Sequence, residues 1–372
     1  MSQPHKPASG ILRPFRHSAS RQQSGVALIT AVLITAMVSI VAVAMAAKQA
    51  LDMRRTANIL HSDQAYLYAL SAEVFAKAVL AQDPDLAVDT RDDIWAQPLP
   101  PTPVQGGSIA GSMIDLNGAF PLNNLVDDAG IVNPAYFAAF RRLLGANILN
   151  LKRPDAAAAG VADWIDKNDT PSNGGAEDLD YLSLDRPHRA GNTAMVSLSE
   201  LQVIIGFYVE ETEEGKERDL DLLLPRGKAA FVNVLPRGAK INVNTASVEV
   251  LMSLHEKITA AIAQQIVARQ TGETSEPFKN KNKIGEEIAE IAGIKDNPRS
   301  TVPAEKKARD TFIRALDKLN LDIKSEYFEV TAAAEIGTAS LIVKSLIQRP
   351  ANASNAASAG TIKTLRRGIG VY

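Results

Sequence analysis

Cysteine does not occur among the 372 residues. Its absence removes disulfides, zinc–thiolate sites and thiol nucleophiles together, so a packed core or a bound ion must hold the fold. An excess of one charge is also missing: 40 Lys and Arg against 42 Asp and Glu leave a formal net charge of −2. No bulk attraction to nucleic acid is built in. The five histidines show no i, i+4 pair, and there is no Walker loop, dinucleotide fingerprint or GxSxG elbow. Aromatic residues make up only 5% and form no sugar platform, which leaves paired-carboxylate catalysis without a substrate site. The sequence therefore points away from an enzyme and names no catalytic residue.

Glycine and proline are absent from Val26 to Asp83, and charge is absent from Val26 to Ala47. At about 1.5 Å per residue that uncharged run spans about 33 Å as a helix, the thickness of a hydrocarbon core. The leader before it, residues 1–25, carries Lys6, Arg13, Arg16 and Arg21 and no acid. The positive-inside rule keeps such a leader in the cytoplasm and puts everything after Ala47 outside, as a single-pass protein. The apolar run is too long for an ordinary secretory signal, and "AMAAKQALDMRR" continues it as helix. Beyond Lys48, Ile59, Leu60, Tyr66, Leu67, Leu70, Val74, Phe75, Ala78 and Val79 recur at helical spacing among Asp52, Arg54, Arg55, Asp63 and Lys77. One helix is predicted from Val26 to about Gln82, apolar throughout its first half and amphipathic in its second.

Further along, "GGSIAGSMIDLNGAFPLNNL" alternates from Ile109 to Leu116 and turns at Asn117 and Gly118, and "EYFEVTAAAEIGTASLIVKSLIQR" reads as two strands around Gly337. The stretches between are mostly helical by pattern: "NPAYFAAFRRLLGA", "AGVADWIDKN", "SLSELQVIIGF" and "VEVLMSLHEKITAAIAQQIVARQ". Residues 272–310, rich in Lys, Glu, Asn and Pro, read as a mobile loop around short helices. The fold class expected is α+β: a long N-terminal helix, strands before residue 120 and after residue 325, and a large, mostly helical insertion between them. The division is 1–25 leader, 26–47 membrane half of the helix, 48–120 periplasmic helix and first strands, 121–324 insertion, 325–349 returning strands, and 350–372 a flexible tail rich in Ala, Ser and Asn.

One stretch concentrates acid. In "ADWIDKNDTPSNGGAEDLDYL" the residues Asp163, Asp166, Asp169, Glu177, Asp178 and Asp180 crowd together with Asn168 and Asn173. Such carboxylates are either a solvated turn or the hard oxygen ligands of a cation, and a flexible loop of them suits calcium. Asp166, Asn168, Thr170 and Glu177 fall at EF-hand positions one, three, five and twelve, but Pro171 replaces the sixth-position glycine.

A basic leader ending in Gly25, an apolar helix opening at Val26 and an amphipathic extension resemble the type IV pilin and pseudopilin family. The resemblance implies that a prepilin peptidase cuts between Gly25 and Val26 and methylates the new Val26 amino terminus. It implies a pilin-like fold as well, with the long helix packed on a small antiparallel sheet and the helical domain inserted in that sheet. Family members usually carry glutamate fifth in the mature chain, where Thr30 stands here. That replacement, the "LNGAFPLNNL" loop and the interrupted sheet resemble the K-type minor pseudopilins of the type II secretion system. For that family the resemblance implies an inner-membrane anchor with its globular domain in the periplasm, and then a place at the pseudopilus tip, where the subunit initiates assembly and supports export of folded proteins. The implied partners are I-type and J-type minor pseudopilins, the major pseudopilin, prepilin peptidase and the inner-membrane assembly platform. "ADWID", then a proline, then "GAED" looks like the family's calcium loop at 163–180, implying one or two calcium ions with Glu177, Asp178 and Asp180 as first ligands, then Asp166 and Asp169.

A rival reading rests on residues 241–270, "INVNTASVEVLMSLHEKITAAIAQQIVARQ", which resemble the helix-hairpin-helix repeat of membrane-anchored DNA-uptake receptors. There a glycine in the link lets bare amides reach a phosphate. Here the link is "HEKIT" and no glycine occurs from Ala246 to Thr271, so a degenerate interaction module without nucleic acid is expected, with Asn242, Asn244 and Thr245 capping a helix near Ser247.

Overall fold

The computed structural model describes residues 24–207, 219–225, 229–272, 275–297, 307–350 and 362–370. Residues 1–23 of the leader, parts of the 272–310 stretch, and residues 351–361 and 371–372 of the tail lie outside the described residues.

Helix α1 runs Ser24–Ala81, within two residues of the expected ends, because nothing in that stretch breaks it. The chain divides into two compact units, 1–60 and 61–372. In the first, the apolar side chains from Val26 to Met53 are exposed. Among the described residues this is the one helix long and apolar enough to cross a membrane, with a mean hydropathy of 2.7 in its most apolar window. Thr30 sits in that rod with its hydroxyl donating to Val26 O and Ala27 O, each at 3.0 Å. Its polarity is consumed by its own helix.

In the second unit a five-stranded sheet has the order β1 (Leu99–Val104), β2 (Gly107–Asp115), β7 (Tyr327–Ile336), β8 (Ala339–Gln348), β9 (Lys363–Gly370), every neighbour antiparallel. Alternation along β7 buries Phe328, Val330, Ala332, Ala334 and Ile336 on one face. Against that face α1 lays Ala65, Ala69, Ala72, Ala76 and Leu80, an alanine stripe at helical spacing whose small side chains let helix and sheet approach closely. The β7–β8 turn holds Gly337 at φ +55°, and a Cβ there would lie 2.4 Å from the His61 ring.

β2 and β7 lie side by side, from Gly107 opposite Ile336 to Asp115 opposite Phe328. Everything between them in sequence is the insertion. It leaves through a two-residue strand β3 (Phe120–Pro121), parallel to β4 (Val232–Asn233), and returns through β6 (Leu321–Asp322), parallel to β5 (Ile241–Asn242). Its helices are α2 (Pro134–Leu144), α3 (Pro154–Ile165), α4 (Asp178–Leu182), α5 (Asp219–Leu223), α6 (Val248–Leu254), α7 (Ala260–Ala268), α8 (Ile284–Ile291) and α9 (Ala308–Leu316). They close over one core that includes Phe120, Phe140, Trp164, Tyr181 and Phe312. "SLSELQVIIGF" forms only the short 3-10 turn Leu198–Val203.

Asparagines bolt the junction. Asn117 Oδ1 accepts from the amides of Glu326 and Tyr327, and its Nδ2 donates to Lys240 O at 2.8 Å. Asn242 and Asn244 do not cap α6. Asn244 exchanges hydrogen bonds with the Phe278 backbone, Asn242 Nδ2 donates to Ser325 Oγ, and Ser247 is the cap. In the α6–α7 link Ile258 is buried and His255 packs edge-on against Phe312 at 4.6 Å. The link is thus spent on packing.

Two strands of the five-stranded sheet depart from expectation. β1 lies outside the expected strands, and its Pro100, Pro101 and Pro103 are tolerated because β1 is an edge. The expected flexible tail instead contributes residues 363–370 as β9, paired along β8 from Gln348 opposite Lys363 to Ile342 opposite Gly370.

Candidate metal centre

The acidic stretch straddles the end of α3 and the start of α4. Asp163 lies in the last turn of α3, Asp166 just beyond it, and Glu177 immediately before α4. Each is nearly sealed from solvent, at 0%, 2% and 3% exposure. Their carboxylates each offer an oxygen, and these all lie within 4.8 Å of one another.

The loop is folded around these acids. Asp163 Oδ2 accepts from the Ser172 amide at 2.9 Å, and a Cβ on Gly175 would fall 1.9 Å from that same oxygen, so any side chain there would displace the carboxylate. Gly174, at φ +86°, makes the preceding bend. Asp166 Oδ1 and Oδ2 accept from Asn168, whose own Oδ1 accepts from the Thr170 amide at 2.8 Å. Pro171 follows these two consecutive turns, and the spiral of an EF-hand does not form.

What the loop leaves unanswered is negative charge. Both carboxylate oxygens of Glu177, and Oδ1 of Asp163, are buried without a hydrogen-bond donor. Burial pushes the Glu177 carboxyl up to about 7, helped by the charges of Asp163, Asp166, Asp169 and Asp178. Burial raises Asp163 as well, and burial with the neighbouring Asp163 charge raises Asp166. Anions without donors in such a place are costly unless protonated or neutralised. Converging hard oxygens of this kind fit a hard divalent cation, and softer ligands are absent from the triad.

Of the five ligands expected, the structure brings together Asp166 and Glu177. Asp178 is engaged elsewhere, accepting from Arg189 Nη1 at 3.0 Å and the Ala190 amide at 2.9 Å. Asp180 Oδ2 accepts from the Glu177 amide at 3.0 Å and so caps α4, and Asp169 Oδ1 accepts from Asn192 Nδ2 at 3.1 Å. The third member of the triad, Asp163, was counted in the acidic crowd but left out of the ligand set. Its signal was available: it precedes Asp166 by three residues on a helix, which places both on one face.

Comparison with known proteins points to one family. Residues 118–214 match the first-domain profile of the family described as Type II secretion system (T2SS), protein K, and residues 241–304 match a second profile with the same description. Type II secretion system protein K of Pseudomonas aeruginosa is 30% identical over 359 residues, covering 94% of each chain. The protein of that name from Aeromonas hydrophila is 29% identical over 346 residues, covering 88% of this chain and 94% of the relative. Among solved structures, a chain of the GspK–GspI–GspJ complex from the enterotoxigenic Escherichia coli Type 2 Secretion System is 21% identical, with a TM-score of 0.65 over 86% of this chain and 100% of that chain. That likeness shows the same fold.

Proposed function

Since the chain belongs to the type II secretion system protein K family, we propose that it is the minor pseudopilin that caps the pseudopilus tip, starts its assembly and so supports export of folded proteins across the outer membrane. Prepilin peptidase cuts between Gly25 and Val26 and methylates Val26, and the inner-membrane platform then draws α1 out of the bilayer, with the major pseudopilin assembling beneath.

The observation that carries this reading is Thr30. Inside a bundle of apolar helices a free amino terminus needs a carboxylate from its neighbour, because an unpaired buried charge is strongly destabilising. Thr30 has no charge to offer, and its hydroxyl is already given to Val26 O and Ala27 O. Such a subunit suits a position with nothing stacked above it. The large insertion between β2 and β7 favours the same place, since its bulk is tolerated at an end and not within a thin fibre.

I-type and J-type pseudopilins are the proposed neighbours, as the solved relative's complex suggests. Within the second unit, α1 presents Leu67, Val74 and Phe75 to solvent at 63%, 65% and 54% exposure, while its opposite face is filled by the sheet. Apolar residues repeated two turns apart fit a partner helix. Calcium is the proposed occupant of the triad Asp163, Asp166 and Glu177, with Asp169 beside it. The module at 241–270 serves as packing and interaction surface without nucleic acid.

Mass spectrometry of the mature chain tests the processing step: an amino-terminal N-methylvaline at residue 26 is expected, and an intact leader overturns the reading. Co-expression with I-type and J-type chains, followed by detergent extraction, is expected to yield a stable ternary complex. Recovery of this chain alone would argue against the tip assignment.

A further inference from the structure

A second group of carboxylates stands apart from the first. Beyond α1 the chain passes through "QDPDLAVDTRDDIWAQ". Three of its acids, Asp83, Asp89 and Asp93, each present an oxygen within 4.8 Å of the other two. Every side chain here is held by identifiable contacts. Asp93 Oδ2 accepts from the Thr90 amide at 2.8 Å and from Trp95 Nε1 at 2.9 Å, while its Oδ1 accepts from Thr90 Oγ1. Asp83 Oδ1 accepts from the Asp85 amide at 3.2 Å, and its Oδ2 lies 3.4 Å from Arg349 Nη1. Asp89 is wholly buried; its Oδ2 accepts from the Ser325 amide at 2.7 Å and from Arg349 Nη2.

The remaining oxygen decides the matter. Asp89 Oδ1 is sealed from solvent and meets no donor. Arg349, also fully buried, gives Nη1 to Asp83 and Nη2 to Asp89 Oδ2 and the Ser325 carbonyl, while its Nε is buried without an acceptor and makes no bond to Asp89 Oδ1. Lys324 acts on Asp89 by its charge, but Asp115 faces Asp89 with the opposite effect. Burial pushes the Asp89 carboxyl up to about 7 despite Arg349, and burial with the charge of Asp93 raises Asp83. A proton would serve one oxygen of one acid. A cation would answer all three carboxylates at once.

We propose that Asp83, Asp89 and Asp93 form a second site for a hard divalent cation of the calcium type, separate in residues and position from the triad on α3 and α4. The site has a structural role. The Asp89 amide donates to Ile323 O at 2.9 Å, and its carbonyl accepts from Asn242 Nδ2 at 3.2 Å. Through Ser325 and Arg349 it also touches the chain before β7 and the end of β8. An ion here braces the place where α1, the returning insertion and the sheet meet.

The two tryptophans separate the sites, because Trp95 is bonded to Asp93 while Trp164 adjoins Asp163. The test uses the full chain in detergent, stripped with chelator and titrated with calcium chloride, carrying Trp164→Phe so that Trp95 is the only reporter. A saturable change in Trp95 emission is expected, with a midpoint near the about 0.1–1 mM of extracellular calcium modules. The change should persist with Glu177→Gln and vanish with Asp83→Asn, which keeps the acceptor oxygen but removes the charge. No change up to about 10 mM, well above that affinity range, overturns the proposal, as does a change that survives Asp83→Asn or is lost with Glu177→Gln. Independently of the tryptophan replacement, native mass spectrometry should count one calcium ion fewer on Asp83→Asn than on the unaltered chain; equal counts overturn it.

Discussion

Arg367 on β9 grips Glu73 on α1 with two hydrogen bonds, Nε to Oε2 at 2.8 Å and Nη2 to Oε1 at 3.0 Å. Glu73 is nearly buried and also accepts from Ser345 Oγ and Thr364 Oγ1, with Lys77 Nζ 3.0 Å away. One carboxylate thus fastens the last strand to both helix and sheet. Most other β9 side chains are exposed, including Leu365 and Ile369.

Glu73→Gln should therefore loosen β9 first. Breaking a buried ion pair costs about 3–5 kcal/mol, and with Arg367 partly exposed about 2 kcal/mol is expected here. Hydrogen exchange should show the 363–370 amides losing protection before those of β2. The pH dependence has a definite sign. Burial alone would raise the Glu73 pKa, but the bonds from Arg367, Ser345, Thr364 and Lys77 overcome it and hold it well below the usual carboxylate range. The stabilisation is then complete above the ordinary glutamate value of about 4.3 and is lost as pH falls below it. Melting curves of the two chains should converge in acid; a gap that widens there would refute the clamp.

Much of this fold was legible because it is written locally. The run from Val26 to Asp83 without glycine or proline set the ends of α1, and alternation set β2, β7 and β8. β9 was hidden because its anchor lies 294 residues away at Glu73 and its own "LRRGIG" has no clean alternation. The acidic loop announced itself by composition, but composition cannot say which acids are already spoken for. Asp178 and Asp180 look as available as Glu177 until Arg189, Ala190 and the Glu177 amide are placed beside them.

Calcium should raise the melting temperature of the full chain in detergent. At a hundred times its dissociation constant a single bound ion adds about 2.7 kcal/mol. Without the ion, the Glu177 carboxyl at about 7 sits above its unfolded value. Its ionisation then opposes folding, and stability should rise as pH falls from about 7 towards about 4.3. Added calcium should flatten that slope, and Glu177→Gln should remove it. An unchanged melting curve at millimolar calcium would count against the site.

Gly175→Ala probes the same loop from its backbone. The new methyl would meet Asp163 Oδ2 at 1.9 Å, so the carboxylate must move and its bond to the Ser172 amide must break. A loss of about 1–3 kcal/mol is expected, the range for an unsatisfied buried polar group, together with at least a tenfold weaker calcium response. Calorimetric titration reads both the affinity and the number of ions, and an unaltered isotherm would show that Asp163 takes no part.

Partner docking should fail without unfolding when the exposed stripe of α1 is charged. Leu67→Glu and Val74→Glu alter side chains more than half exposed, so the change in the chain's own stability should stay within about 0.5 kcal/mol. Burying either glutamate against a partner helix would instead cost several kcal/mol. Co-purification with I-type and J-type chains should drop at least tenfold while the melting temperature holds; undiminished recovery would place the partners on another face.

Thr30→Glu tests the tip argument most directly. The replacement restores a carboxylate five residues into the mature helix, where it can meet the amino terminus of a subunit stacked above. A chain so altered is no longer restricted by charge to the end of the filament. The ratio of this chain to major pseudopilin in sheared pseudopili should therefore rise above the one or few copies that an end position allows. Should the ratio stay fixed, charge at residue 30 does not decide position, and the bulk of the insertion between β2 and β7 must do so alone.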